Sequence, residues 1–443
     1  MTASCLVCSE PEVEVFLDLG STALANKFPS AEDLNRPEPR FPLRVGFCRG
    51  CGHVQLVERV PPAAMFTDYL YVSSASDTLR AHFDDLAATL TARHLLGARS
   101  AERGGASPRS ELPGEDGMGR NAEPARSFGA LADGGLVVDI GCNDASLLCC
   151  FRDRGARTLG VDPAENLAEF SRETGIERYR GFFGADTAGE IADRWGRAAL
   201  VTATNTFPHI PDLGGFVAGL DAVLAPGGAF VLEAHYLVDL LDQLAFDTVY
   251  HEHVSYWALG PMMRLFEDHG MEIVRAERLP IHHGQLRATV MRRGEGEVDG
   301  SVAEVLAAER QLGIDRFDTW RTFAGRVGRL KAEVMDCLGG LKAEGRRLAG
   351  YGAPAKGSTL LEFFGVGPGT LDFIADRSPL KQGRYTPGSH IPIVAPARLL
   401  EEPSPDHVLL LAWNFEEEIL AQQAEFRRRG GRFILPVPIV RIV

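Results

Sequence analysis

Apolar residues fall into two rhythms along this chain: helical spacing in some stretches, short unbroken runs in others. Residues 76–96 begin with Ser76 or Asp77 as a cap and set Leu79, Phe83, Leu86, Leu90 and Leu95 at near-helical intervals, which predicts an amphipathic linking helix. Residues 97–135 lose the apolar period. Stretches such as Gly104-Gly105-Ala106-Ser107-Pro108 predict a flexible linker or surface insertion there. From Leu136 the pattern becomes strand, Gly-rich turn, helix, strand. Leu136–Ile140, Thr158–Asp162, Leu200–Thr204 and Ala229–Glu233 read as strands, and their alternation with helical segments predicts a parallel sheet covered on both faces. Residues 301–345 read as a helical connector with Val302, Val305, Leu306 and Leu312 on one face. A second α/β unit opens near Arg347, with a Gly-rich turn over Leu348–Gly357 and strands at Leu371–Ala375 and Val408–Ala412. The expected plan is an N-terminal module over 1–75, the helix 76–96, the insertion 97–135, a sheet domain over 136–300, the connector 301–345 and a second sheet domain over 346–443.

Composition narrows the function. The chain has 443 residues, 45% hydrophobic and 24% charged, which is an ordinary globular balance and excludes wholesale disorder. Its net charge of −14 argues against a nucleic-acid or anionic-lipid partner, because the overall field repels both. No run approaches the length of a membrane helix, and the start Met1-Thr2-Ala3-Ser4-Cys5 carries no signal-peptide pattern, so a cytoplasmic protein is expected, either a monomer or a weak homo-oligomer.

Four of the eight cysteines form two C-x-x-C pairs, Cys5/Cys8 and Cys48/Cys51. Two such turns can close a tetrahedron of thiolates around one zinc ion, a structural site with no open position for catalysis. Redox-active or unrelated thiols are the competing reading. The 39 intervening residues exceed a usual ribbon gap, so the loop carries structure of its own.

The first Gly-rich turn, Asp139-Ile140-Gly141-Cys142-Asn143-Asp144-Ala145, joins a strand to a helix, and Asp162 ends the next strand 23 residues after Asp139. Small residues let a ligand approach the backbone, and a carboxylate at that second position can accept both hydroxyls of an adenosine ribose. Two glycines of the dinucleotide fingerprint are missing, so the turn fits S-adenosylmethionine better. An unliganded strand–turn–helix is the bland alternative. The second turn, Gly350–Gly357, has no convincing acidic residue at ribose spacing, so no second dinucleotide is expected. Lys356, Lys381 and His390 are candidates for a substrate diphosphate or nucleoside, or else solvated or structural residues.

Tyr250-His251-Glu252-His253-Val254-Ser255-Tyr256 concentrates ionisable side chains after the sheet domain, where the crevice beyond the strand ends belongs. Histidine is poised for proton abstraction near neutral pH. The spacing is not that of H-E-x-x-H, which makes a catalytic metal a poor fit. Asn205 and His209 follow the Leu200–Thr204 strand and fall at the same carboxyl edge, although a lone histidine there is often structural.

Several strings occur in one order: Tyr69-Leu70-Tyr71-Val72-Ser73-Ser74, the Asp139–Ala145 turn, Gly160-Val161-Asp162-Pro163, Phe246–His253, Tyr351–Gly357 and Pro387–Ile393. With the cysteine pairs they resemble the S-adenosylmethionine-dependent C-methyltransferases of nucleotide-linked deoxysugars, the 3-C-methyltransferase type. The resemblance spans nearly the whole chain except 97–135. It implies an α/β architecture with a small N-terminal zinc-binding module, a central class I methyltransferase (Rossmann-like) domain, and a second Rossmann-like domain contributing to nucleotide-sugar binding. It implies methylation of the ring carbon beside the 4-keto group of a thymidine-diphosphate sugar, in the making of a branched-chain deoxysugar for an antibiotic or a surface polysaccharide. His253 would be the general base, with Glu252 and Tyr250 beside it. Tyr71 would reach the sugar from the segment that also carries Tyr69, and a tyrosine or His209 would stabilise the enolate. Asp139, Gly141, Asn143, Asp144, Asp162 and Asn205 would serve the cofactor. His282, Arg287, Lys356, Lys381 and His390 would serve the substrate.

The chain departs from that family at Cys142 and Ala145, where Ser and Gly are usual, and at Ile281–Arg287, where His283 and Gln285 add bulk. Two other readings compete: an O- or N-methyltransferase acting on a different small molecule, and a non-catalytic zinc-module protein that binds a nucleotide sugar or another protein.

Overall fold

The structure, a computed structural model, describes residues 4–67, 69, 72–75, 77–102, 134–281 and 284–443. The expected Tyr71 and His282 lie outside the described residues, as do 103–133 of the predicted insertion.

Three sheets organise the described residues. Strands β1 (Glu14–Thr22), β2 (Phe41–Phe47) and β3 (Val54–Leu56) form an antiparallel meander. Alternate residues Leu17, Leu19, Leu43, Val45 and Phe47 point inward, the period of a half-buried sheet. The meander would leave the outer edge of β3 unpaired. A strand from far along the chain, Ser255–Tyr256, completes it, with Val54 opposite Tyr256 and Gln55 opposite Ser255. That pairing fastens the end of the 250–256 cluster to the N-terminal module.

The central sheet contains β4 (Leu136–Ile140), β5 (Arg157–Val161), β6 (Glu177–Tyr179), β7 (Ala198–Thr204) and β8 (Leu224–His235), all parallel. Every residue of β4 is buried, as both-face coverage requires. Strand β9 is the Ser255–Tyr256 segment, and β10 (Met271–Leu279) and β11 (Gln285–Arg292) return to the central sheet. The order is β10-β11-β8-β7-β4-β5-β6. Here the structure corrects the expectation of a wholly parallel sheet: β10 and β11 are antiparallel to each other, and β11 is antiparallel to β8. The few residues between Leu279 and Gln285 are too short for the crossover that a parallel pair needs.

The linking helix runs Asp77–Glu102, beyond the expected end at 96. Its Leu79, Phe83, Leu86 and Leu90 are buried with Leu147, Leu148 and Phe151 of the central domain. The connector is two helices, Gly300–Leu312 and Phe317–Ala343. Leu312 departs from its expected inward face and is 41% exposed, because the chain reverses at the left-handed Gly313 (φ 66°) that caps the first helix. The second helix buries Trp320, Phe323, Val327, Leu330, Val334 and Leu338 at spacings of three and four, with Trp320 against Phe16 of β1.

The C-terminal sheet has β12 (Leu348–Tyr351), β13 (Ile374–Ala375), β14 (Ile393–Val394), β15 (His407–Leu410), β16 (Arg432–Leu435) and β17 (Arg441–Ile442) in the order β14-β13-β12-β15-β16-β17. All but β17 run parallel. Among the described residues no helix is long and apolar enough to cross a membrane.

Candidate active site

The four module cysteines converge as their spacing predicts. Their Sγ atoms lie within 4.8 Å of one another, with Cys5 to Cys51 and Cys8 to Cys48 each 3.5 Å. Tetrahedral Zn–S bonds of about 2.3 Å require sulfur–sulfur edges of about 3.8 Å, so the set fits an ion with little movement. Each C-x-x-C curls into a tight turn: the Ser9 N–H donates to the Cys5 carbonyl at 3.1 Å and the Gly52 N–H to the Cys48 carbonyl at 2.8 Å. The hydrogen bond from Cys51 holds the Cys5 thiol down to about 5, while burial pushes Cys48 up to about 11. Thiols crowded in this way contest one another's charge, and a divalent cation resolves the conflict. Among the described residues this is the only group of three or more His, Cys, Asp or Glu side chains close enough to hold an ion. His53 is turned elsewhere, its Nε2 3.2 Å from Ser255 Oγ.

All three modules line one cavity of about 1020 Å³. That volume is at the upper end of single-ligand pockets, about 300–1,000 Å³, and suits a cofactor together with a second molecule. At one end stands the carboxyl edge of the central sheet. Gly141 adopts φ +74°, and a side chain there would collide with Thr206, so glycine is required. Asp139 is buried and accepts from Thr202 Oγ1 at 2.7 Å; burial pushes its carboxyl up to about 7. Asp162 Oδ2 accepts from the Asn143 N–H at 2.9 Å, and its Oδ1 accepts from the Ala164 N–H at 2.8 Å and from Arg178 at 2.9 Å. Burial raises Asp162, and these partners oppose the rise. Two buried carboxyls around a glycine turn fit a cationic nucleoside such as S-adenosylmethionine. Asn143 and Asn205 line the same end, Asn205 held by Gln285 Nε2 at 2.6 Å. Asp144 does not line the cavity. Its oxygens accept from the Ser74 N–H at 2.7 Å and the Ser146 hydroxyl at 2.7 Å, so it pins the segment that leads into the linking helix.

Further along the cavity the acid–base cluster assembles. The His253 Nδ1–H donates to the Thr248 carbonyl at 2.8 Å. A carbonyl only accepts, so this bond fixes the proton on Nδ1 and leaves the Nε2 lone pair available. The ring lies 4.0 Å from Tyr250, 5.2 Å from His209 and 5.0 Å from His235, centroid to centroid. His209 is sandwiched, its other face stacked on Phe66 at 5.1 Å. Burial pushes both His209 and His253 down to about 3, so both are neutral near pH 7.

Glu252 does not line the cavity. Asn26 Nδ2 donates to its two oxygens at 2.8 and 2.9 Å, and the Tyr69 hydroxyl donates at 3.1 Å. Burial raises Glu252 to about 7, and the Asn26 and Tyr69 bonds resist that rise.

Across the cavity stands the C-terminal sheet. Lys356 lies in the first turn of the helix Ala355–Phe364, with its Nζ 3.9 Å from the Trp413 ring centroid. Burial lowers it to about 8, opposed by Asp247. Lys381 donates to the Ala353 carbonyl at 2.7 Å, and burial lowers it too. Both line the cavity. Two expected substrate residues do not. Arg287 is 5% exposed and paired with the buried Glu233 at 2.7 Å, whose other oxygen meets His82 at 2.7 Å, so its charge is consumed inside the domain. His390 pairs with Glu38 at 2.9 Å, away from the cavity.

The structure adds residues that pattern reading missed. His235 ends β8 at the carboxyl edge, a position visible once the strand is extended two residues. Asn26 has no local signal, since only folding brings it to Glu252. Asp376, which spacing along the chain does not single out, comes directly after β13, and the Ala353 N–H donates to it at 2.6 Å.

Fold and site together define an S-adenosylmethionine-dependent methyltransferase with a zinc module, and comparison with known proteins narrows the class. Family models match three successive parts: a methyltransferase zinc binding domain (residues 5–66), a methyltransferase domain (119–276) and a C-methyltransferase C-terminal domain (280–438). The chain belongs to this C-methyltransferase family. It is 38% identical to the C-methyltransferase NovU of Streptomyces niveus over 440 residues, covering 99% of this chain and 96% of that one. A ubiquinone biosynthesis O-methyltransferase of Bradyrhizobium is 36% identical over only 113 residues, 24% of this chain and 42% of that one. Among solved structures, an S-adenosylmethionine-bound glycopeptide N-methyltransferase, MtfA, is 13% identical over 36% of this chain and 87% of that one, with a TM-score of 0.29.

Proposed function

We propose that this enzyme methylates C-3 of a nucleotide-linked 4-keto-deoxysugar, with thymidine diphosphate as the carrier, during assembly of a branched-chain deoxysugar. The observation that carries the reading is the His253 ring, neutral, tautomerically fixed and lining a cavity between an acidic edge and a cationic one. A carbon beside a ketone loses its proton only because the anion spreads onto the carbonyl oxygen. His253 Nε2 takes that proton, and the developing enolate beside the new imidazolium offsets the low basicity of the buried ring. His209, stacked on His253, is the donor side chain for the enolate oxygen, with Tyr250 the second candidate. Glu252 acts through the groups it holds: it fixes Tyr69 and Asn26 along the cavity wall. Bound S-adenosylmethionine supplies an electrophilic sulfonium methyl. Asp139 and Asp162 hold that cationic nucleoside, and Gly141 lets it approach. The cysteine–zinc module secures the base through the β3–β9 pairing. The substrate is a small molecule, and the eight unpaired cysteines suit a reducing cytoplasm.

The test is incubation with S-adenosylmethionine and a panel of 4-keto-deoxysugar nucleotides, read by mass, with deuterium loss from C-3 followed in parallel. Methylated product with exchange at C-3 is the expected result. Product on oxygen, without exchange, would overturn the carbon-acid reading and leave an O-methyltransferase.

A further inference from the structure

Gln285 is a fully buried polar side chain. It opens β11, stands behind the cavity wall, and is one of the positions at which the chain departs from the family it resembles. Its Nε2 donates to Asn205 Oδ1 at 2.6 Å, reaching past β8, the strand that separates β11 from β7. The residue opposite Gln285 on β8 is His235, so the bond is made at the carboxyl edge, beside the histidines that surround His253.

Asn205 is the first residue beyond β7 and lines the cavity. Its N–H donates to the Glu233 carbonyl of β8 at 2.8 Å. Its φ is +57°, a left-handed conformation that asparagine tolerates better than most residues. Residues held in this way cluster at functional sites. The bend carries the chain off β7 into the short turn Phe207–His209, which sets the His209 ring 5.2 Å from that of His253.

The bond between the two amides has a direction. With Gln285 as donor, its own Oε1 stays in the interior without a hydrogen-bond partner. With the bond reversed, Asn205 Nδ2 would donate to that oxygen, and the Gln285 N–H2 would be the buried group left short. A buried N–H without a partner is rarer than a carbonyl oxygen short of one, so the first direction is favoured. Asn205 Oδ1 is therefore engaged behind the wall. A planar amide whose oxygen is turned away presents its N–H2 on the other side, toward the cavity.

The chemistry decides what that donor meets. Asp139 and Asp162 already supply acceptors for the cationic nucleoside. Negative charge growing on a ketone oxygen needs preorganised donors. Neutral His209 carries a single N–H, on the same turn as Asn205.

We propose that Asn205 donates to the ketone oxygen of the substrate as an oxyanion donor beside His209, and that Gln285 is the positioning residue that turns its N–H2 that way. This rests on the carbon-acid reading above and deepens it. As His253 takes the C-3 proton, the C–H electron pair moves into the bond between C-3 and C-4, and the carbonyl π pair moves onto the oxygen that Asn205 and His209 face. Methyl transfer draws electrons back from that oxygen as the new C–C bond forms.

The experiment reads enolisation apart from methylation. Full-length, zinc-loaded enzyme is given S-adenosylhomocysteine, which has no methyl group to transfer, with the panel of 4-keto-deoxysugar nucleotides deuterated at C-3, and deuterium loss is followed by mass. S-adenosylmethionine affinity and Tm are measured alongside. Asn205→Gly removes the amide and suits the left-handed backbone. It should slow exchange by about 10²–10³-fold, the loss of one oxyanion donor, with S-adenosylmethionine affinity within about twofold of wild type. Gln285→Met and Gln285→Leu should slow exchange about tenfold or more. Adding either to Asn205→Gly should cost nothing further, because Gln285 acts through an amide already gone. Wild-type exchange in Asn205→Gly, or a loss of cofactor affinity in place of exchange, would overturn the proposal and leave the carbon-acid reading intact. Losses that multiply in the double variants, or Gln285 variants whose Tm and cofactor affinity fall together with exchange, would overturn the role of Gln285. Absence of exchange by the wild type with every member of the panel would overturn the reading and the proposal together.

Discussion

At the carboxyl edge of the central sheet the cavity wall is acidic, with Asp139 and Asp162 around Gly141; at the facing edge of the C-terminal sheet it carries Lys356 and Lys381, with Asp376 beside Gly352. The backbone of the two turns is nearly the same: Gly141 and Gly352 both adopt positive φ, +74° and +82°, and their N–H groups donate to the Val161 and Ala375 carbonyls of the neighbouring parallel strands. What differs is the sign of the side chains that flank it. A glycine turn between parallel strands is therefore a neutral cradle, and the neighbouring charges choose the ligand. Between the edges, on the segment that β9 ties to the N-terminal module, sits the histidine that neither cradle supplies.

The comparison is tested most severely by removing the group between the edges. His253→Asn should lower kcat by about 10²–10⁴-fold, the usual loss of a general base, with both ligands still bound at affinities near wild type. A collapse of either affinity would show that the ring belongs to one cradle and not to the chemistry between them.

Next in size is Lys356→Met, which keeps the stem and removes the charge. KM for the nucleotide sugar should rise about tenfold to a hundredfold while S-adenosylmethionine binding, measured by calorimetry, stays unchanged. An equal loss on both sides would erase the distinction between the edges.

Opposite pH dependences follow from the same contrast. Asp139 sits at about 7 with the carboxyl protonated below that value, and a cationic ligand favours the ionised form. S-adenosylmethionine affinity should therefore rise as pH increases through about 7, approaching tenfold per unit below it, and Asp139→Asn should flatten the dependence. Lys356, at about 8, loses its charge as pH increases, so diphosphate affinity should fall above about 8. Titration calorimetry from pH 6 to 9 would reveal parallel trends if the assignment is wrong.

The smallest effect concerns the cofactor turn alone. Ala145 adopts φ +64°, the left-handed region that favours glycine. Ala145→Gly should stabilise the fold by about 1 kcal/mol, seen as a raised Tm, with no change at the C-terminal edge. A lower Tm would mean that the methyl group's packing outweighs the backbone strain.

Much of this arrangement was legible in residue order. The cysteine pairs converge because two C-x-x-C turns can do little else around one ion. The runs at Leu136–Ile140 and Leu348–Tyr351 became buried strands because they are apolar on both faces but for Asp139, whose carboxyl accepts from the Thr202 hydroxyl. His253, Tyr250 and Lys356 reached the cavity from positions that local pattern marked as strand-end or turn. Arg287 was misread because its strand neighbour Glu233 is separated from it by 54 positions; pairing across β8 and β11 decided its partner. Asp376 follows the expected strand Leu371–Ala375 directly, but it lies 26 residues after Gly350 and only the parallel pairing of β12 with β13 sets it beside the glycine turn.

Sequence by itself determined the local units: zinc turns, glycine cradles, helical stretches and the chemical types available to each, since these depend on near neighbours and on backbone conformations a few residues long. Only the tertiary structure decided which units share a cavity. Asn26 meets Glu252 across 226 positions, and β9 pairs with β3, a strand about 200 residues earlier. Such contacts are set by which buried faces and unpaired edges the folded chain must cover, and no local window of sequence contains that information.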